Sequence, residues 1–157
     1  MEFKLGSKSR AELAGVHPDL VAVVKRALQL TAQDFAVHDG IRTVAEQKAF
    51  VAAGYSRTMH SKHLEGLAVD LVPWVGGKLR WWWPQIYQIA AAMQQAARAL
   101  DVPIRWGVVW DRRLNDLAPG MSDPAALPRA LQAEGLAYNA RHPGSDFPDG
   151  PHYELVQ

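Results

Sequence analysis

The sequence predicts a mixed α+β fold around one hydrophobic core. Two observations predict it. Segments with apolar residues at helical spacing are interleaved with short apolar runs of strand type, and 157 residues suits one domain of common size, with no internal repeat or low-complexity tract. Composition narrows the chemistry further. Lys and Arg number 17 against 16 Asp and Glu, a balance that points to neither nucleic acid nor a membrane surface. Cysteine is absent, so disulfides, thiolate metal sites and cysteine nucleophiles are excluded, and any metal must be held by His, Asp or Glu. No stretch has the length and apolarity of a signal peptide or a membrane span, so the chain is expected to be made as a soluble cytoplasmic protein without stable membrane association.

The elements follow in chain order. Ser9 with Glu12 reads as a capping box opening a short helix that Gly15 stops. Pro18 suits a first helical position, and Leu20, Val23, Val24, Ala27 and Leu28 then share one helical face. Phe35 to His38 reads as a strand and Gly40 as a turn. Thr43 with Glu46 forms a second capping box, starting a helix that runs to about Gly54. Arg42 thereby falls at a strand-to-helix junction. Gly66 to Val72 reads as a strand with Ala68, Asp70 and Val72 on one face. Trp81, Trp82 and Trp83 lead through Pro84 into a helix with Ile86, Ile89, Ala90, Met93 and Leu100 inward, followed by a strand from Pro103 to Val109. Residues 111–148, rich in Pro, Gly, Asp and Asn, read as a surface excursion with one helix near Leu127 to Glu134, and His152 to Val156 closes the chain as a strand. Residues 1–157 are therefore expected to form a single domain.

Asp70 carries the first chemical signal, because an ionised carboxylate inside an apolar strand is costly unless a cation or several donors compensate it. Possible metal ligands cluster in two places, His60 to His63 leading to Asp70, and Asp149 to Glu154. Taken singly, each histidine is more often an ordinary surface or core residue than a ligand. Two imidazoles and a carboxylate on zinc leave a fourth position for water, the arrangement of a hydrolytic site. A nearby carboxylate that takes the proton from that water contributes roughly 10²–10⁴-fold, and Asp149, three residues before His152, is the candidate.

Ser61-Lys62-His63-Leu64-Glu65-Gly66-Leu67-Ala68-Val69-Asp70 resembles the S-x-H-x-x-G-x-A-x-D motif of the VanY-like zinc peptidases, with all five specified positions in agreement. Asp149-Gly150-Pro151-His152-Tyr153-Glu154-Leu155 is similar to that family's second motif, in which an acidic residue stands three before a histidine ligand. Gly15 to Leu20, and Asp39 to Thr43 with Gln47 following, resemble the phage endolysin branch that cleaves L-alanyl-D-glutamate bonds, so the likeness spans residues 5–110 and 149–157. It implies zinc on His63, Asp70 and His152, Asp149 as general base, and Arg42 steadying the developing oxyanion. It also implies an α+β fold of the Hedgehog and D-Ala-D-Ala peptidase type, with a small antiparallel sheet carrying the metal and helices packed on its other face.

A fixed guanidinium aimed at developing negative charge stabilises the transition state selectively, and losing such a donor commonly costs about 2.7–4 kcal/mol. The plain alternative for Arg42 is a cap on the neighbouring helix or a pair with Asp39. Ser61 is a candidate to bond substrate or orient His63, and Glu154, on the strand face of His152, a candidate partner for that ligand. His60 lies outside the motif and His142 in the excursion, and both are read as solvated. Family members commonly read W-G-G where this chain has Trp106-Gly107-Val108. The excursion is read either as a lid or specificity loop or as a tolerated insertion, and the Trp81 to Trp83 run either as a wall-binding surface or as aromatics that share burial with partial exposure. The expected function is a monomeric zinc endopeptidase of peptidoglycan stem peptides, a phage or prophage endolysin released to the wall by a separate lysis protein. The alternatives are a D,D- or L,D-carboxypeptidase of the same family and a non-catalytic wall-binding module.

Overall fold

The computed structural model describes residues 2–56, 58, 59, 61–144 and 148–157. Its architecture is α+β. Among the described residues five α-helices, α1 (Ser7–Leu13), α2 (Pro18–Leu30), α3 (Val44–Ala52), α4 (Trp83–Leu100) and α5 (Leu127–Arg141), accompany β1 (Phe35–Asp39), β2 (Ala68–Val75), β3 (Lys78–Leu79), β4 (Ile104–Gly107) and β5 (Asp149–Leu155). The sheet runs β1-β2-β5-β4 with every pair antiparallel, and β3 forms a hairpin with β2 beyond that path. The Gly76-Gly77 turn that makes this hairpin is a readable signal, and the sequence reading passed over it.

Helix α2 buries the five residues that its periodicity selects, Leu20, Val23, Val24, Ala27 and Leu28, against α4, whose Ile86, Ile89, Ala90 and Met93 are likewise inside. Leu100 departs from expectation at 42 % exposure. It is the last residue of α4, where Asp101 turns the chain in a left-handed conformation, and Ala96 and Ala97 hold the inner face instead. The expected box on α1 is also corrected. Gly6 caps that helix without a side-chain bond, while the Ser9 hydroxyl accepts from the Val37 amide and the Glu12 carboxylate from the Gly40 amide. The two side chains tie α1 to β1 and the following turn. The box at Thr43 and Glu46 is present in full.

Residues 111–148, expected as surface excursion, place Leu114, Leu117, Leu127, Leu131 and Tyr138 in the core. Their Pro and Gly content masks an apolar face. Buried Gln94 of α4 donates to the carbonyls of Leu114 and Leu117, and Arg98 to those of Asn115 and Leu117. Helix α5 extends past its expected end to Arg141, whose guanidinium clamps Asp111 at 2.8 and 2.9 Å. No described helix is long and apolar enough to cross a membrane.

Candidate metal centre

The antiparallel register aligns Asp39 of β1 with Asp70 of β2, and Asp70 with His152 of β5. His63 comes from outside the sheet, on a single 3-10 turn, Lys62–Glu65. The Ser61 side chain caps that turn by accepting from the His63 amide, 3.2 Å away. Gly66 ends it with φ +70°, and a Cβ there would stand 2.6 Å from the Gly15 carbonyl oxygen. The glycine of the first motif thus serves a left-handed close approach that carries the chain from His63 into β2.

His63 Nε2 lies 3.2 Å and His152 Nδ1 3.3 Å from the same oxygen, Asp70 Oδ1, and the three residues offer ligand atoms all within 4.8 Å of one another. Ligand atoms about 2.0–2.1 Å from a tetrahedral zinc stand roughly 3.3–3.4 Å apart, so these contacts match the edges of that polyhedron. The far ring nitrogens each meet an acceptor. His63 Nδ1 donates to the Gly40 carbonyl at 2.7 Å and His152 Nε2 to the Glu154 carboxylate at 2.8 Å, because neither acceptor can donate. Each imidazole is therefore oriented by an acceptor behind it, with its other nitrogen turned toward Asp70. The donor set suits a divalent cation such as zinc.

Charge in the cluster is closely balanced. Burial pushes the Asp70 carboxyl up, but the charge of His63 and hydrogen bonds from His152 and His63 outweigh it and hold the group well below the usual carboxylate range. Burial opposes the charging of His152, yet hydrogen bonds to Asp70 and Glu154 carry it up to about 10. Asp149, half-buried at the start of β5, is raised to about 6 by burial and then by the charge of Asp70, while His152, His63 and Arg42 pull the other way. It reaches this position through an irregularity in the β4–β5 pairing opposite Gly107, where a Cβ would lie 2.2 Å from the Asp149 carbonyl oxygen and 3.0 Å from His152 Cβ.

Arg42 is 7 % exposed and held on several sides. Its guanidinium bonds Asp39 through Nε and Nη2 and Gln47 through Nη1, lies 4.2 Å from the Phe50 ring centre, and approaches Asp70 Oδ2 to 3.8 Å. The pair with Asp39 is therefore real, and Arg42 still borders the cluster. His142 stacks on Tyr138 beside Asp111 and is no part of the cluster; His60 lies outside the described residues.

Two contributors escaped the sequence reading. The Gly40 carbonyl has no side-chain signature, and Trp110, whose ring sits 5.5 Å from that of His152, falls between the expected strand and the expected excursion. Trp106 is fully buried and donates from Nε1 to the Gly150 carbonyl, so it supports the backbone beside Asp149.

Known proteins share this chain's sequence and fold. The family described as phage L-alanyl-D-glutamate peptidase matches residues 1–119, a span that includes Arg42, His63 and Asp70. The L-alanyl-D-glutamate peptidase of Escherichia phage T5 is 37 % identical over 115 residues, covering 71 % of this chain and 84 % of that protein. The crystal structure of the L-Ala D-Glu endopeptidase ChiX of Serratia marcescens superposes with a TM-score of 0.71 at 32 % identity, covering 99 % of this chain and 91 % of the other.

Proposed function

Because the chain belongs to the phage L-alanyl-D-glutamate peptidase family, we propose that it is a zinc endopeptidase that hydrolyses the L-alanyl-D-glutamate bond of peptidoglycan stem peptides and acts on the cell wall as a phage or prophage endolysin. The observation that carries the metal part is the meeting of His63 Nε2 and His152 Nδ1 on Asp70 Oδ1, with each imidazole oriented from behind by Gly40 or Glu154. Zinc bound there supplies Lewis acidity and makes water nucleophilic near neutral pH.

The remaining chemistry belongs to the chain's own side chains. Asp149, poised at about 6, takes the proton from the attacking water and returns it to the leaving amine. Arg42, locked by Asp39, Gln47 and Phe50, keeps a fixed positive charge beside the cluster and steadies the carbonyl oxygen as it turns negative. Ser61 orients the turn that carries His63, and Glu154 holds His152 from behind so that Nδ1 faces the cluster. The site draws on β2, β5 and the segment between β1 and β2 of one chain, which accords with residues 1–157 working as one peptidase domain and as a monomer.

The test uses purified protein and muropeptides of known structure. One zinc per chain is expected, with cleavage lost to a chelator and restored by metal, and mass spectrometry should place the cut between L-alanine and D-glutamate. Full activity in metal-free protein would overturn the metal assignment. Release of a terminal D-alanine alone would make the enzyme a carboxypeptidase.

A further inference from the structure

Three consecutive indoles, Trp81, Trp82 and Trp83, remain 52 %, 47 % and 39 % exposed. These values also fit aromatics that share burial with partial exposure ahead of a helix, but three exposed indoles in succession offer more apolar surface than scattered single residues do, and such surface suits an interaction site. The rings are braced. Trp81 meets His38 edge-on at 5.4 Å, the Arg80 guanidinium lies 5.2 Å from the Trp82 ring centre, and Trp83 leans on Tyr87 at 5.6 Å. Held rings lose little freedom when a ligand arrives.

Trp83 also connects the run to the cleavage site. Its ring carbons lie 2.9 and 3.2 Å from where a Cβ on Gly150 would stand, so it rests directly on the residue that follows Asp149. Charge narrows the choice of ligand. Between Asp70 and Asp101 the sequence has no acidic residue, and Lys78 and Arg80 stand just before the indoles, which suits an anionic polymer.

We propose that Trp81, Trp82 and Trp83 form a ledge that binds the glycan of the wall polymer while the attached stem peptide lies in the adjoining site. This rests on the peptidoglycan reading above. Indole faces stack on the C–H faces of pyranose rings, and the basic residues nearby attract the carboxylates that the stem peptides carry. The ledge adds affinity for the intact wall and leaves the chemistry at Asp149 untouched.

The test compares the zinc-loaded chain with a Trp81→Ala/Trp82→Ala variant; Trp83 is kept because it packs on Gly150. Binding to purified sacculi is expected to weaken about tenfold, and sacculus hydrolysis to fall with it, while kcat/KM on a glycan-free stem peptide stays at the parent level. Trp82→Phe, which keeps a ring face, should retain most of the binding. Oligomers of N-acetylglucosamine should perturb the fluorescence of the parent and not of the double variant. Equal sacculus binding by parent and variant overturns the proposal. So does parallel loss on sacculi and free peptide, which marks a fold or catalytic defect, and so does capture by anionic phospholipid vesicles in place of sacculi. If the parent cleaves neither substrate, the peptidase reading fails, and the ledge is judged on sacculus binding alone.

Discussion

At Asp149, burial and then the charge of Asp70 raise the carboxyl from its ordinary 3.8 to about 6. A general base must be ionised, so kcat/KM is expected to fall on the acid side of that value, and a bound cation moves the limb to lower pH. The same shift bears on stability, with a definite sign. As pH rises from 3.8 to about 6 the unfolded chain ionises first, so the metal-free fold loses stability through that window and carries the whole penalty above it. Asp149→Asn is therefore expected to retain metal, lose about 10²–10⁴-fold in turnover, and make the metal-free protein more resistant to denaturant above pH 6 but not below 3.8. Activity, metal content and denaturation at the two pH extremes check all three. Normal turnover would move the base to another carboxylate, Glu154 first. The residue types of the site were legible in the chain because S-x-H-x-x-G-x-A-x-D and its partner motif carry them at set spacing. The poise of Asp149 was not, because it depends on Asp70, His63 and Arg42 lying close across the fold.

Among the elements, α1 shows how a local reading fails while the helix itself is found. Ser9 and Glu12 have capping-box spacing, yet their side chains serve Val37 and Gly40, which stand more than twenty residues downstream. Cap spacing is a local pattern, and a nearby strand with unpaired amides competes for the same oxygens. The consequence reaches the metal centre, because Gly40 also accepts from His63. A Cβ on Gly40 would lie 1.8 Å from the Glu12 carbonyl oxygen, so Gly40→Ala must separate α1 from this turn. The expected outcome is a stability loss of about 1–3 kcal/mol with a 10–100-fold weaker metal affinity, roughly the effect of losing an outer partner of a ligand histidine. Denaturant unfolding and zinc titration measure the two. An unchanged affinity would mean that the Gly40 carbonyl does not orient His63.

For the molecule as a whole, a metal held by His63, Asp70 and His152 would be thermodynamically linked to the fold. In the metal-free protein His152 is raised from 6.5 to about 10, so its contribution is fully present below 6.5 and drains away as pH rises toward 10. Asp70 acts in the opposite direction, since its lowered value gives stability that is present above 3.8 and lost on acidification. A cation on His152 Nδ1 must displace a proton, so zinc affinity near neutrality is expected to climb about tenfold per pH unit. At a hundredfold excess over Kd, zinc should stabilise the fold by about 2.7 kcal/mol. Calorimetry in buffers of different ionisation enthalpy counts the proton, and an affinity independent of pH would contradict the charged state of His152. The sequence by itself singled out the candidate metal-binding group His63, Asp70 and His152, and determined the helices that bury Leu20 to Leu28 and Ile86 to Met93 and the capping box at Thr43, because motif spacing and amphipathic periodicity are local properties of the chain. Only the tertiary structure decided that β5 pairs with β2 so that His152 faces Asp70, that residues 111–148 help close the core, and that Arg42 is clamped by Asp39 beside the site. Those outcomes depend on contacts between segments far apart in the chain, where burial and charge are set by what packs alongside.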